Sequence, residues 1–289
     1  MRPWKSPDLS GRVAVVTGAS RGVGKGIALV LGESGATVYV TGRSTRARPG
    51  LGPGTIEDTA EAVSSRGGRG IPMVTDHTDD RQVEALFERV HTEQGRLDLL
   101  VANAWGGYEG YDKSFSDRFW EQPLWRWDAM FGAGLRAQFT ASRFAARLMI
   151  GQGHGVIVCT GGTDSPGYYL GTVPYDVVKA AAARMVVAMA RELRQHGVAV
   201  LGVFPGFTRT EAVVAAFAAE DKQPPGDTHS PEFVGRAVAR VFADPDVMEL
   251  SGTGAQAATF ATRYGFTDVD GRAIPPFVLP GEYHLDRVQ

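Results

Sequence analysis

The sequence predicts an α/β fold, a single-domain, doubly wound parallel sheet of about seven strands with helices on both faces. Short apolar runs rich in β-branched residues alternate with helical patterns along the chain, which is typical of strands buried on both faces. A glycine-rich turn, Thr17-Gly-Ala-Ser-Arg-Gly-Val-Gly24, follows the first apolar run. The 289 residues contain neither an internal repeat nor a low-complexity linker, so we predict one domain, residues 1–289.

Each apolar run predicts a strand, and each helical pattern predicts a helix. The predicted strands are 13–17, 37–41, 70–75, 97–102, 156–160, 198–204 and 254–258. The predicted helices are 25–34, 56–66, 82–94, 125–149, 175–196, 211–219 and 231–243. Irregular chain is predicted at 44–55, 105–123, 221–229 and from residue 261 onward. We expect a substrate-loop region at 210–230 and a C-terminal tail at 261–289.

Composition and charge exclude several classes of protein. The net charge of −2 gives no basic field that would attract nucleic acid, so nucleic-acid binding is not expected. No stretch approaches the roughly 20 apolar residues that span a bilayer, so no membrane partner is expected. The single cysteine, Cys159, cannot form an internal disulfide and favours a cytoplasmic location. The six histidines show no metal-ligand spacing, and no metal is predicted.

Tyr175 and Lys179 are the first candidate catalytic pair. They lie four residues apart in a predicted helix and therefore on one helix face. A tyrosine with a pKa near ~10 exchanges protons poorly at neutral pH unless a fixed cation stabilises its phenolate, and a lysine supplies that cation. Such a pair also arises by chance in many helices. Combined with the upstream glycine turn, it indicates a redox enzyme.

Gly18, Gly22 and Gly24 form the candidate phosphate-binding turn. A dinucleotide pyrophosphate needs a close backbone approach and the free N–H groups at a helix N-terminus, and both follow from glycines at the end of a first strand. The alternative is a helix N-terminus that merely packs tightly on a strand. The surrounding strand-helix-strand pattern favours the nucleotide site.

The end of the second predicted strand favours NADP(H) over NAD(H). An NAD site usually presents a carboxylate there, whereas this chain presents Arg43. Arg43 and Arg21 are expected to flank a 2′-phosphate, with hydroxyl groups from Ser20, Ser44 and Thr45 adding hydrogen bonds. The alternative is that both arginines are solvated surface residues.

In these motifs the chain resembles the short-chain dehydrogenase/reductase family, which has a Rossmann fold. The form Thr-Gly-x-x-x-Gly-x-Gly matches that family's glycine motif, and Tyr-x-x-x-Lys matches its catalytic pair. Motifs elsewhere, including Phe119-Trp-Glu, Pro205-Gly and Arg263-Tyr-Gly, resemble the subgroup called dehydrogenase/reductase family member 1. The resemblance covers nearly the whole chain.

The resemblance implies an NAD(P)-dependent oxidoreductase that moves a hydride between nicotinamide and a carbonyl or secondary alcohol. Tyr175 would be the general acid in reduction, and Lys179 would lower its pKa and bind the nicotinamide ribose. Asp76 would accept from the adenine amino group. The expected cofactor-binding residues are Gly18, Ser20, Arg21, Gly22, Val23, Gly24, Arg43, Asp76, Asn103, Ala104, Tyr175, Lys179, Pro205, Gly206, Phe207 and Thr208.

The family's catalytic serine is missing from its usual position. That position falls on Gly162 in this chain. Thr163 is the candidate to supply the hydroxyl that polarises the substrate carbonyl, with Thr160 and Ser165 as weaker alternatives.

Two further positions depart from the family pattern. The asparagine that organises a proton-relaying water is replaced by Gly134, and the family's Asn-Asn-Ala-Gly ends in Trp105 instead of glycine. A nucleotide-binding pseudoenzyme with a regulatory or structural role is therefore the alternative to an active enzyme, and a purely structural oligomer is a third possibility. The expected partners are a small-molecule carbonyl or alcohol substrate and a second copy of the chain, in a homodimer or homotetramer.

Overall fold

Seven parallel strands form one sheet in the computed structural model, which describes residues 4–50, 52–107, 117–161 and 169–278. In chain order the strands are β1 (Val13–Val16), β2 (Thr37–Gly42), β3 (Arg69–Val74), β4 (Leu99–Ala102), β5 (Gly155–Thr160), β6 (Val198–Phe204) and β7 (Gly254–Gln256). Their order in the sheet is β3-β2-β1-β4-β5-β6-β7. This architecture confirms the predicted fold class.

Helices cover both faces of the sheet. They are α1 (Gly22–Glu33), α2 (Ile56–Ser65), α3 (Asp80–Gln94), α4 (Leu124–Met130), α5 (Ala137–Gln152), α6 (Val173–Leu193), α7 (Glu211–Ala218), α8 (Pro231–Phe242) and α9 (Ala257–Tyr264). One core joins α1, α2, α8 and α9 to the sheet, and a second core joins α3, α5 and α6 to the opposite face. Alternate strand residues supply the two cores, as Val15 and Val16 do from β1.

Three sequence predictions about secondary structure need correction. The predicted helix 125–149 is divided, because α4 and α5 are joined by a π-helical turn at Phe131–Arg136. The predicted strand 254–258 ends early, and the prediction of irregular chain from residue 261 is wrong for 261–264, because α9 begins at Ala257. Alanines favour a helix there, and Ala257, Ala261 and Phe260 are buried against the core.

The order of the strands decides where a ligand can bind. The chain leaves β1 toward β2 on one side and reaches β4 on the other side, so the sheet has a topological switch point between β1 and β4. Ligands of doubly wound sheets bind outside the carboxyl ends of the strands at such a point. Within the described part of the chain, no helix is long and apolar enough to cross a membrane.

Candidate active site

The glycine turn after β1 has a backbone conformation that glycine adopts far more readily than larger residues. Gly18 and Gly22 have positive φ angles of 65° and 56°, which glycine adopts without steric cost. A Cβ added to Gly24 would lie 2.4 Å from the Gly18 carbonyl oxygen and 2.5 Å from the Asn103 side-chain nitrogen. The start of α1 therefore lies directly on the turn, with its backbone N–H groups at the switch point.

The side chain of Asn103 fixes this turn from the end of β4. Its Nδ2 donates to the Thr17 carbonyl oxygen at 2.9 Å and to that of Gly18 at 3.2 Å. The backbone N–H groups of Asn103 and Ala104 both donate to Thr17 Oγ1 at 2.8 Å. Thr160 Oγ1 in turn donates to Asn103 Oδ1 at 3.0 Å. The hydroxyl of Thr160 is thus engaged in joining β5 to β4, which disfavours it as the carbonyl-polarising group.

The candidate arginines lie next to two secondary-structure ends, Arg21 at the start of α1 and Arg43 directly after β2. Arg21 donates from Nη1 to the Gly52 carbonyl oxygen at 2.9 Å, so it holds the loop that follows β2. Arg43 is 58% exposed, and its Nη1 lies 3.9 Å from Asp76 Oδ2. Asp76 also accepts from the backbone and hydroxyl of Thr78 at 2.9 and 2.7 Å. Burial raises the pKa of Asp76, but these hydrogen bonds and Arg43 outweigh it and lower the pKa overall.

The hydroxyl-bearing residues near these arginines are mostly buried. Ser20, Ser44 and Thr45 are each less than a tenth exposed. Thr45 Oγ1 accepts from the backbone N–H of Arg48 at 2.9 Å, so it stabilises its own loop. A Cβ added to Gly50 would lie 2.3 Å from Ser44 Oγ and 3.3 Å from Arg21 Nη2, which shows that these two side chains meet at the loop.

Tyr175 and Lys179 stand on the first turns of α6, which begins at Val173 with Pro174 in its first turn. The Lys179 ammonium lies over the indole of Trp105, 3.6 Å from the ring centroid, and 5.2 Å from the centre of the Tyr175 ring. The Trp105 and Tyr175 rings meet edge to face, with centroids 5.5 Å apart. Two aromatic rings and one cation therefore form a compact cluster, the Trp105-Tyr175-Lys179 cluster.

Lys179 is partly exposed along its side chain, while its ammonium end is enclosed by protein atoms. Burial lowers the pKa of Lys179 to about 7. The face of Trp105 acts in the opposite direction, because a cation over a desolvated indole is stabilised by about 2 kcal/mol. The lysine of the candidate pair is thus held in an apolar setting with an aromatic face as its contact.

Gly161, at the end of β5, leaves room for this ammonium. Its φ is 93°, and an added Cβ would lie 2.6 Å from Lys179 Nζ. The next residues of this segment, Gly162, Thr163 and Ser165, lie outside the described residues, so the role predicted for Thr163 stays a prediction.

The loop after β6 is held from two sides. His229 contacts the Pro205 carbonyl oxygen through Nε2, and its backbone N–H donates to Phe207 O at 3.2 Å. Gly206 has a positive φ of 78°. Phe207 packs on Phe277, with ring centroids 6.0 Å apart. Burial lowers the pKa of His229. Residues Pro205, Gly206, Phe207 and Thr208 therefore form an ordered edge beside β6.

Comparison with known proteins agrees with this geometry. Residues 12–221 match the sequence profile of the family described as short chain dehydrogenase. The chain belongs to the short-chain dehydrogenase family.

Relatives of this short-chain dehydrogenase cover nearly its full length. Dehydrogenase/reductase SDR family member 1 of Mus musculus is 40% identical over 293 residues, which is 97% of this chain and 90% of the relative. The Homo sapiens protein of the same name is 38% identical over 93% of this chain and 87% of its own length. A short-chain type dehydrogenase/reductase from Mycobacterium marinum has a similar crystal structure, with 28% identity, a TM-score of 0.71 and coverage of 86% of this chain and 94% of that chain. These relatives confirm the predicted resemblance.

The glycine turn of this short-chain dehydrogenase fits a nicotinamide dinucleotide. The turn and the first backbone N–H groups of α1 would hold its pyrophosphate. Glycine is required at position 24, because any larger residue there would collide with the turn. Asn103 lies at the expected strand end, where its side chain supports the turn rather than facing away from it. The individual roles predicted for the cofactor-binding residues stay predictions.

Sequence reasoning missed a carboxylate at the glycine turn. The backbone N–H of Gly22 donates to Glu211 Oε2 at 2.9 Å, so the first turn of α7 contributes an anion to the start of α1. The sequence Thr210-Glu211 after the loop of β6 indicates the start of a helix. It does not indicate that this helix reaches across to α1.

Sequence reasoning also missed the buried carboxylate of Asp268. It accepts from the Ser230 backbone N–H at 2.8 Å and from the Ser230 hydroxyl, and Arg209 Nη2 lies 3.7 Å from it. Arg272 Nη2 lies 3.9 Å away on the other side. The segment that follows α9 thereby fixes the start of α8 and the residues preceding α7. The sequence signal is the run Asp268-Val-Asp-Gly-Arg272, in which two carboxylates precede an arginine, and this pattern does not indicate Ser230 as the partner.

Proposed function

We propose that this protein is an NADP(H)-dependent oxidoreductase that transfers a hydride between nicotinamide and a carbonyl or secondary alcohol carbon of a small molecule, with reduction as the favoured direction. The observation that carries the proposal is the position of Tyr175 and Lys179. Both lie in one cluster with Trp105. Trp105 is two residues after Asn103, whose side chain supports the glycine turn from the end of β4. A phosphate cradle and an acid-base pair at one edge of the sheet are the minimum that such a reaction needs.

The chain's own residues handle the proton and the substrate oxygen. A bound nicotinamide dinucleotide supplies or accepts the hydride. In reduction, the Tyr175 hydroxyl donates its proton to the carbonyl oxygen, and the Lys179 ammonium favours the phenolate that remains. Thr163 is the residue we assign to polarising the carbonyl by a hydrogen bond. Thr160 is less suitable, since its hydroxyl donates to Asn103 Oδ1.

The preference for NADP(H) rests on Arg21 and Arg43. The end of β2 presents Arg43, whose Nη1 lies 3.9 Å from the carboxylate of Asp76. A 2′-phosphate would give Arg43 a doubly charged partner that an NAD ribose does not offer. Fluorescence titration should show tighter binding of NADPH than of NADH. Equal affinities for the two dinucleotides would contradict the assignment.

Turnover tests the main proposal. Oxidation of NADPH at 340 nm should be followed with a panel of steroids, quinones, aldehydes and ketones, with each compound also incubated without protein as a control. At least one class of carbonyl compound should be reduced. If NADPH binds but no compound is reduced or oxidised, the pseudoenzyme alternative replaces the proposal. Gly162 at the serine position favours that alternative. If no dinucleotide binds, both fail.

We further propose a cytoplasmic homodimer or homotetramer. The free, buried thiol of Cys159 suits a reducing compartment. An apolar groove of about 660 Å³ lies between the π-helical turn, α5 and α6, and Phe139 and Val187 are 50% and 40% exposed on those helices. Exposed apolar faces of this kind are typical of subunit interfaces. Light scattering should give at least a dimer, and Val187→Asp should reduce the mass while Val214→Asp on α7 should not. A monomer at micromolar concentration would contradict this.

A further inference from the structure

We propose that Trp105 is a positioning residue for Lys179, and that Trp105 and Gly134 form one compensated pair in place of the family's glycine and relay asparagine. The inference deepens the proposed function, since it concerns the lysine of the same acid-base pair. In this arrangement the indole face keeps the ammonium beside Tyr175. Three contacts carry it.

The first contact is between the indole and the ammonium. Lys179 Nζ lies 3.6 Å from the centroid of the Trp105 ring, which is within the distance at which a cation is attracted to an aromatic face. The same indole meets the Tyr175 ring edge to face at 82°. One side chain therefore touches both members of the catalytic pair and fixes their relative positions.

The second contact explains Gly134. A Cβ added to Gly134 would lie 2.7 Å from Trp105 Cζ3 and 2.9 Å from Cε3, closer than real Cβ atoms approach their neighbours. An asparagine at position 134 cannot coexist with this indole unless one of them moves. Gly134 lies in the π-helical turn Phe131–Arg136, a helix irregularity that is frequent at functional sites. The missing asparagine is thus the consequence of the tryptophan, and its loss does not by itself indicate a lost activity.

The third contact closes the pocket from β5. Gly161 faces Lys179 Nζ so closely that an added Cβ would lie 2.6 Å from it. Trp105, Gly161 and Tyr175 therefore all lie close to the ammonium. Among the described residues, no carboxylate acts on the pKa of Lys179, and the Asp176 side chain on the same helix accepts from the Leu170 backbone N–H at 2.9 Å. The aromatic face is the described group that favours the charged form of this lysine.

The lysine's titration in the protein without cofactor gives the most direct test. Lys179 reactivity toward acetic anhydride, measured by mass spectrometry across pH, reports its pKa, because only the free amine reacts. Trp105→Leu keeps an apolar side chain but removes the aromatic face, so it should lower the pKa of Lys179 by about one. Trp105→Phe keeps a smaller aromatic face, so the pKa of Lys179 in this variant should lie between its values in the unmodified protein and in Trp105→Leu. Trp4→Leu, which removes another indole with arginines over its face, should leave Lys179 unchanged.

Turnover and stability complete the test. In the active enzyme, Trp105→Leu should move the alkaline limb of kcat to lower pH, because the ammonium is lost earlier as pH rises. Gly134→Asn should lower the melting temperature. The double variant Trp105→Gly with Gly134→Asn should have a higher melting temperature than the sum of the two single changes predicts. An unchanged Lys179 titration in Trp105→Leu, a raised KM with an unchanged kcat profile, or strictly additive single variants would each overturn the proposal. The labelling and melting results stand even if no substrate is found, so they fail independently of the proposed function.

Discussion

The nucleotide half of the site and its chemical half follow the family pattern to different extents. The nucleotide half comprises the glycine turn, the ends of β2 and β4 and the start of α1, and its glycines occupy the family positions. The chemical half comprises Trp105, the π-helical turn, the end of β5 and α6, and three of its positions depart from the pattern: Trp105, Gly134 and Gly162. At least two of these departures are in contact with each other.

The difference has a physical origin. In the nucleotide half, each constraint acts on one residue, such as the positive φ of Gly18 or the absence of space for a side chain at Gly24. The role of each of these residues can therefore be predicted from the family pattern one position at a time. In the chemical half, the constraint is the filling of a shared volume, so residues change in sets. A missing catalytic side chain there has to be judged together with whatever occupies its space.

Tyr175→Phe should produce the largest effect and act on the chemical half alone. Removing the hydroxyl removes the proposed proton donor, and general acid catalysis contributes on the order of 10² to 10⁴ in rate. We expect kcat to fall by at least that factor, with NADPH affinity changed less than threefold in a fluorescence titration. A variant that retains a tenth or more of the rate would show that another group delivers the proton.

Thr163→Val should have the next largest effect. The change preserves shape and removes the hydrogen bond that we propose Thr163 donates to the developing oxyanion, and such a loss costs on the order of 2 to 4 kcal/mol in the barrier. The measurement is kcat with the best compound of the panel. Thr160→Val serves as the comparison, since the Thr160 hydroxyl already donates to Asn103. Indifference of kcat to Thr163→Val would transfer the role to Ser165 or a backbone N–H, and Gly162→Ser would then test the pocket.

Most of the fold was predictable because it depends on periodicity and backbone geometry. The seven strands were located within one or two residues, since buried parallel strands read as short apolar runs. The start of α9 and the π-helical turn were missed, because alanine-rich sequence is ambiguous between strand ends and helices, and a π turn has no periodic signal. Glu211 and Asp268 were missed for another reason. Their partners, Gly22 and Ser230, lie far away in sequence, and only the tertiary structure brings them together.

Gly24→Ala sharpens the comparison from the nucleotide half. The added methyl group would press on the Gly18 carbonyl oxygen at 2.4 Å, and overpacking of this kind costs about 1 to 3 kcal/mol in the free energy of unfolding. NADPH affinity should fall together with stability. The matched control is Gly151→Ala in α5, where an added Cβ meets nothing within 4 Å and alanine should stabilise the helix by up to about 1 kcal/mol. Denaturant unfolding measures both, and equal effects would contradict the tight packing of the turn.

Glu211→Gln should have the smallest effect and tests the contact between the nucleotide half and α7. Glu211 Oε2 accepts from the Gly22 N–H at 2.9 Å, at the helix end where a pyrophosphate is expected to bind. The carboxylate and the phosphate are both anions, and both are attracted by the partial positive charge at the N-terminus of α1. This attraction contributes about 0.3 to 1 kcal/mol for a partly exposed anion. Glutamine keeps the size and a hydrogen-bond acceptor but removes the charge.

NADPH should therefore bind about two- to fivefold more tightly to Glu211→Gln, and the gain should shrink in high salt, which screens the repulsion. Glu232→Gln is the matched control, because the Glu232 carboxylate pairs with Arg66 at 3.2 Å. Weaker NADPH binding in Glu211→Gln would show instead that the carboxylate orders α7 for the cofactor. That result would make α7 part of the nucleotide half.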